Sequence, residues 1–254
     1  DQPAVVQYFN WVDGLAHGDL GRSFFTNKSV MGQLAKRIPI SLKLAGFSMI
    51  LTIVFGVGSG VLMAVKKDRL LDHVLGTFST VALSVPGFWI AIVLIFIFAE
   101  QWKILPSSGI SDGSGFILPA ITLALPSIGV CARLTRSAIL DEIGRQYMTV
   151  ADAKGMSRRC AVIRHAFGNA LIPIITYLGN HMAGIIGGAS IVETIFAIPG
   201  IGSYAIAGVQ SKDYYVVQAY VLFSGCIYVL TNILIDLIYI ALDPKIRAGE
   251  AVES

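Results

Sequence analysis

Five long apolar stretches limit what this chain can fold into. They comprise residues 44–65, 74–99, 116–132, 166–192 and 214–235, and none contains a lysine, arginine, aspartate or glutamate. A helix of about 20 apolar residues crosses the hydrocarbon core of a bilayer. Only 14% of the residues are charged, whereas an ordinary soluble domain has about 25%. The sequence therefore predicts an all-α membrane protein, a polytopic helical bundle with five spans, because backbone groups in hydrocarbon must be satisfied within each segment.

The lysines and arginines are distributed unevenly over the ends of these spans. Twelve, among them Lys66, Arg136 and Lys245, flank one set of ends, and six, among them Arg22 and Lys103, flank the other. Cytoplasmic loops carry the excess of such residues. The N-terminus is therefore predicted outside and the C-terminus in the cytoplasm.

This orientation divides the chain into three parts. An extracytoplasmic N-terminal segment, 1–37, precedes a transmembrane domain, 38–242, and a cytoplasmic tail, 243–254, follows it. Within the transmembrane domain, 141–168 is predicted to be a cytoplasmic loop and 194–213 an outer loop.

Glycines and one proline predict details of helix packing. Gly56 and Gly60 are four residues apart, as are Gly184 and Gly188, and small residues at this spacing let helix backbones approach closely. Pro86 is predicted to kink its helix because proline removes one backbone hydrogen bond and clashes with the preceding turn.

The motifs of covalent and metal chemistry are missing from the sequence. It contains no G-x-x-x-x-G-K-[ST] that would bind ATP and no H-E-x-x-H. The histidines are scattered, and the spacing of the three cysteines matches no zinc or redox motif. We therefore predict no catalytic residue, no metal site and no bound cofactor in this chain.

One long basic stretch, residues 147–173, interrupts the apolar pattern. Residues up to Lys154 favour a short helix, Gly155 breaks it, and Ser157 suits the N-cap of a second helix that ends near His165. Small residues mixed with arginines would let another protein dock closely or would rest on an anionic lipid surface. The residues alone leave both alternatives open.

This stretch resembles the EAA motif, roughly E-A-A-x-x-x-G-x9-I-x-L-P, of the membrane subunits of ATP-binding-cassette importers. Ala151 and Gly155 fall on its third and seventh positions, while Thr149 stands in place of glutamate and His165 in place of isoleucine. These departures are similar to the dipeptide/oligopeptide/nickel permease variant, T-A-x-A-K-G…R-H-A-x-x-N-A-L-x-P. The chain matches that variant at Thr149, Ala151, Ala153, Lys154, Gly155, Arg164, His165, Ala166, Asn169, Ala170, Leu171 and Pro173.

Stretches elsewhere extend the resemblance over nearly the whole chain. GDLGRS at 18–23, LTRSAILDEIGRQY at 134–147, the outer segment 191–218 and LDPKIR at 242–247 are all similar to that branch. Members have one more helix before this point. The resemblance therefore implies six spans, with both ends cytoplasmic, in the native protein.

The resemblance implies the fold of a type I importer permease and a non-catalytic role in the bacterial inner membrane. Its partners would be a second homologous permease, two ATPase subunits that hold ATP and Mg²⁺, an extracytoplasmic substrate-binding protein and the lipid bilayer, with no nucleic acid. The residues expected to couple to the ATPase are Thr149, Ala151, Asp152, Ala153, Lys154, Gly155, Arg158 and His165.

The cargo is expected to be di- or oligopeptides, with nickel or a metal chelate as the alternative. A stand-alone secondary transporter is a remote alternative, because such proteins carry repeats and mid-span acidic residues that this sequence lacks. Polar residues inside spans face a cavity or a partner helix. The predicted translocation path includes Pro86, Asn180, His181 and Glu193. Hydrogen bonding to a neighbouring helix is the alternative for Asn180 and His181. For Glu193, which lies near the interface, an anchoring role is favoured over the path.

The outer loop contains the apolar sequence IFAIPGIGSYAIAGVQ, which is too apolar for a free loop. We expect it to fold back over the outer mouth or to contact the binding protein.

Overall fold

The structure, a computed structural model, describes residues 3–110, 113–145, 160 and 166–242. Apart from an isolated bridge between Arg22 and Ser29, the regular secondary structure of these residues is helical. The α-helices are α1 Ala4–Ala16, α2 Val30–Leu51, α3 Gly58–Val65, α4 Leu70–Ser84, α5 Gly87–Leu94, α6 Ile117–Ile143, α7 Phe167–Gly188, α8 Ser190–Ile195, α9 Ile201–Gln210 and α10 Tyr214–Leu242.

Three helices of the described chain are long and apolar enough to cross a membrane. They are Val30–Val65, which joins α2 and α3 through a π-helical segment, Gly113–Ile143 and Tyr214–Ile238. The bent pair α4–α5 would make a fourth. Helix α7, with 22 residues, coincides with the remaining predicted span but is not among these apolar helices. The prediction of a polytopic helical bundle is confirmed.

The first spanning helix begins earlier than its apolar stretch. It starts at Val30, where the Ser29 hydroxyl accepts a hydrogen bond from the Gly32 amide at 3.3 Å and so caps the helix. Its outer turns contain Lys36 and Arg37, so hydropathy did not reveal them. The helix therefore begins about two turns before residue 38, and the boundary predicted there for the transmembrane domain stays a prediction.

The helix around Pro86 is broken rather than kinked. Helices α4 and α5 meet at 102° across residues Val85 and Pro86. Val85 (ψ 126°) and Pro86 (ψ 136°) are both extended. A residue that precedes proline disfavours the helical region, and proline itself donates no backbone hydrogen bond. The single span predicted over 74–99 is therefore two helices at nearly a right angle.

Helix α6 forms the centre of the bundle and packs against α2, α3, α4, α5 and α7. Glycines on its neighbours allow this close approach. A Cβ built on Gly56 would lie 2.8 Å from the Cβ of Cys131, and one built on Gly60 would lie 2.6 Å from the carbonyl oxygen of Ala132. The predicted packing of this glycine pair is confirmed. Gly184, in the second pair, has open space around its Cβ position.

Replacing Gly60 with valine tests this packing. We expect the free energy of unfolding to fall by roughly 1–3 kcal/mol, because overpacking a close helix contact forces backbone shifts. The measurement is the thermal unfolding midpoint of the purified protein in detergent. Gly58→Val is the matched control, since the Cβ position of Gly58 has no neighbour within 4 Å. Equal midpoints for the two variants would contradict the close α3–α6 contact.

Candidate functional site

The residues predicted to couple to the ATPase lie outside the described part of the chain. They are Thr149, Ala151, Asp152, Ala153, Lys154, Gly155, Arg158 and His165. Their role therefore stays a prediction. The structure does describe the two helices on either side of residues 146–165. Within the predicted loop 141–168, α6 continues to Ile143 and α7 begins at Phe167.

The two ends of this segment are joined by polar side chains. The side-chain amide of Asn169, in the first turn of α7, donates a hydrogen bond to Glu142 Oε2 at 3.2 Å. Arg145 contacts the other carboxylate oxygen of Glu142 at 3.0 Å. Glu142 itself is only 7% exposed. This contact joins residues 27 positions apart, so the end of α6 and the start of α7 lie side by side.

An apolar cluster lies beside this polar junction. Ala64 of α3, Ile139 of α6, and Ala166, Ala170 and Ile174 at the start of α7 are buried against one another. The small alanine side chains allow the three helices to approach closely. The end of α6 and the start of α7 are therefore held together by packing as well as by a hydrogen bond. We call Glu142, Asn169 and these five apolar residues the junction.

An ion pair ties α4 to α6 on the side that the positive-inside rule assigns to the cytoplasm. Arg136 Nε lies 2.7 Å from Asp72 Oδ1, and Arg136 Nη2 donates to Asp72 Oδ2 at 2.8 Å. The Asp68 backbone amide donates to the same carboxylate. The pair borders an open groove of about 510 Å³ that Thr77 and Arg133 also line. Bidentate pairing fixes both the distance and the orientation of the two helices.

Sequence reasoning did not single out Asp72 or Glu142. Each is a carboxylate near the end of a helix that carries arginines nearby, a pattern also typical of a solvated surface. The contacts that bury them join residues that are 64 and 27 positions apart. No local pattern encodes such pairs, and the signal available was only that a carboxylate stands beside a long apolar run.

His181 lies at the interface of α6 and α7. Its ring stacks on Tyr177 with centroids 5.7 Å apart, and its Nδ1 is 3.4 Å from the Ser127 hydroxyl. The Tyr177 hydroxyl donates to the Ser127 carbonyl at 3.2 Å. His181 Nε2 is buried and has no hydrogen-bond partner among the described residues. The role of His181 in a translocation path stays a prediction, and the contact with Ser127 fits the alternative of bonding to a neighbouring helix.

The role of the predicted path residues stays a prediction, and for Asn180 and Pro86 the structure shows how exposed they are. Asn180 is exposed on the surface of the described chain, and Pro86 is exposed at the break between α4 and α5. Among the residues described, no group of three histidine, cysteine, aspartate or glutamate side chains could hold a metal ion.

Glu193 lies in a buried hydrogen-bond network at the outer side. It is 1% exposed, and its carboxylate accepts hydrogen bonds from the Ser41 hydroxyl at 2.6 Å and the Ser203 backbone amide at 2.9 Å. Ser41 in turn accepts from the Ile201 amide at 2.9 Å. Gly200 lies directly against the carboxylate, where any Cβ would clash. Glu193 thus ties α8, α9 and α2 together, the geometry of an anchor.

The outer segment after α8 folds back onto the bundle, as the sequence predicted. Helix α9 packs against α2, α8 and α10, and the Gly109 amide donates to the Phe196 carbonyl at 2.8 Å. Phe196, Ile198 and Ile201 are almost fully buried. Contact with a binding protein stays a prediction.

Comparison with solved structures supports the same architecture. A chain of the inward-facing MetNI methionine ABC transporter superposes with a TM-score of 0.69 at 17% identity, over 84% of this chain and 97% of that chain. An amino acid ABC transporter gives a TM-score of 0.66 at 18% identity, over 82% of this chain and 92% of that chain. Identities this low show a shared fold alone.

Comparison of sequences is more specific than comparison of structures, because it finds relatives at higher identity. The chain is 37% identical to a probable peptide ABC transporter permease of Sinorhizobium fredii, over 97% of this chain and 82% of that protein. It is 34% identical to a probable D,D-dipeptide transport system permease of Escherichia coli, over 98% of this chain and 82% of that protein. A glutathione transport system permease of Escherichia coli is 33% identical over 97% of this chain and 81% of that protein.

A family model matches residues 56–248, a range that contains the central helix α6, the junction and the outer segment. Family, helical architecture and the peptide-permease relatives agree, and the predicted resemblance is confirmed. The chain is a multi-pass membrane protein that belongs to the family of binding-protein-dependent transport system inner membrane components.

Proposed function

We propose that this chain is one of two permease subunits of an ATP-driven importer that moves di- and oligopeptides across the bacterial inner membrane. The observation that carries the proposal is 33–37% identity, over nearly the whole chain, to permeases named for peptide, D,D-dipeptide and glutathione transport. Because the sequence has no P-loop, ATP and Mg²⁺ would be held by two separate ATPase subunits.

The mechanism requires no chemistry from this chain. ATP binding would close the ATPase dimer, and residues 149–165 would transmit that movement to α6 and α7. The bundle would then change from inward-open to outward-open, as in domain closure. The driving force is the difference in ATP affinity between the two states. Cargo would be delivered by an extracytoplasmic binding protein, in which most of the selection resides.

Peptides are the better supported cargo. No relative named above is a nickel permease, and no group of three histidine, cysteine, aspartate or glutamate side chains that could hold a metal ion is found among the described residues. A metal site normally needs several ligands. Nickel or a metal chelate therefore serves as the competing outcome of the test.

The test is uptake by proteoliposomes that contain the complete complex, with ATP inside and the cargo-loaded binding protein outside. We expect a labelled dipeptide to enter only when hydrolysable ATP is present. Uptake of nickel but not of dipeptide would transfer the assignment to the metal alternative. Uptake driven by an ion gradient without ATP would overturn the importer assignment altogether.

A further inference from the structure

The junction has a geometry that suits a mechanical role. Helix α6 ends at Ile143 and α7 begins at Phe167, and a hydrogen bond of 3.2 Å between Glu142 and Asn169 joins the two helices beside these ends. Ile139 and Ala170 pack beside that bond in a buried cluster. The two helices that flank residues 146–165 in the sequence are thus joined to each other where they meet that segment.

We propose that Glu142 is a positioning residue that couples ATP hydrolysis to transport by holding α6 and α7 together where residues 146–165 attach. This proposal rests on the proposed function. A segment pushed by a partner moves the membrane helices as one body only when both of its attachments move together. If α6 and α7 separate there, movement of the partner displaces only residues 146–165. The movement is then not transmitted to the transmembrane bundle.

The hydrogen bond to Asn169 is the part of the junction that carries this role. Glu142 is 7% exposed, and hydrogen bonds to a buried charged group are among the strong ones. The contact from Arg145 is different, because that side chain is 65% exposed. Solvent screens exposed ion pairs, so they contribute little. The bond to Asn169 spans the two helices, whereas Arg145 lies on the same side of the segment as Glu142.

The experiment compares Glu142→Ala with the wild type in the reconstituted complex, measuring ATP hydrolysis and dipeptide uptake in the same vesicles. We expect ATP hydrolysis to stay within about twofold and uptake per ATP to fall about tenfold, as losing a buried charged hydrogen bond predicts. Asp141→Ala is the matched control, because Asp141 is the neighbouring carboxylate on α6 and is exposed. Glu142→Gln should retain most coupling, since its amide oxygen still accepts from Asn169.

Two further variants separate positioning from simple loss of structure. Asn169→Ala should uncouple in the same direction as Glu142→Ala, and the effect of the double variant should be smaller than the sum of the two single effects, because each single variant already removes the bond between them. If Glu142→Ala does not assemble, cysteines at 142 and 169 in a chain without its three native cysteines provide the test. Uptake per ATP should be low with free thiols and should recover when a short thiol-reactive crosslinker joins them.

The two proposals fail in different ways. A wild-type complex without ATP-dependent uptake would remove the proposed function before any variant is made. A coupled wild type together with unchanged uptake per ATP in Glu142→Ala would overturn only the role of Glu142. Crosslinking without recovery would do the same.

Discussion

Replacing Gly155 with arginine is expected to abolish import while the chain still inserts in the membrane. The resemblance places Gly155 at the glycine of the motif that docks on the ATPase, beside the small residues Ala151 and Ala153. A long charged side chain there would keep the two surfaces apart. Losing a central docking contact costs about 2–4 kcal/mol, which lowers binding of the ATPase about thirtyfold or more.

Three quantities measured together test this prediction: the amount of tagged chain in the membrane, the ATPase that copurifies with it, and dipeptide uptake. The first should equal the wild type and the other two should be nearly lost. Gly113→Arg is the matched control, because Gly113 is exposed on the outer side and its Cβ position is open. Near-normal uptake by Gly155→Arg would remove the coupling assignment.

Replacing Glu193 with alanine is expected to release the outer segment from the bundle. The substitution removes the buried acceptor of the Ser41 hydroxyl and the Ser203 amide and leaves those donors to find new partners. Hydrogen bonds to a charged group contribute about 1.5–3 kcal/mol each, so we expect a loss of about 3 kcal/mol in the free energy of unfolding. Glu193→Gln should lose less, because it keeps one acceptor oxygen.

The measurement is the thermal unfolding midpoint together with tryptic cleavage at Lys212, which follows α9. Cleavage should become faster in Glu193→Ala before global unfolding, because Lys212 is already exposed and the protease needs only local unfolding of the backbone around it. Glu100→Ala is the control, because Glu100 is an exposed carboxylate in the π-helical segment after α5. If both alanine variants unfold and cleave like the wild type, Glu193 is not an anchor.

Local patterns in the sequence sufficed for much of the architecture. Apolar runs marked the positions of the main helices, because a bilayer tolerates only internally bonded backbone. The Gly56 and Gly60 spacing located the close approach to α6. At Pro86 the sequence predicted only a kink. In the structure, the proline and the extended residue before it end one helix, and the next helix begins at 102° to it.

Those local patterns could not predict contacts between distant parts of the chain. Glu193 and Ser41 are 152 residues apart, and Asp72 and Arg136 are 64 apart. A carboxylate near a helix end has the same local sequence whether it anchors a buried network or faces solvent. The burial and the hydrogen-bond partners of the carboxylate distinguish an anchor from a solvent-exposed residue. Both properties depend on how the helices assemble.

The most direct test of the central claim is to purify the tagged chain gently from its native membrane and identify what copurifies with it. The account predicts a second related permease and P-loop ATPases, and ATP-dependent dipeptide uptake when that assembly is reconstituted with its binding protein. A chain that purifies alone and moves solute without ATP would contradict the importer assignment and favour a secondary transporter.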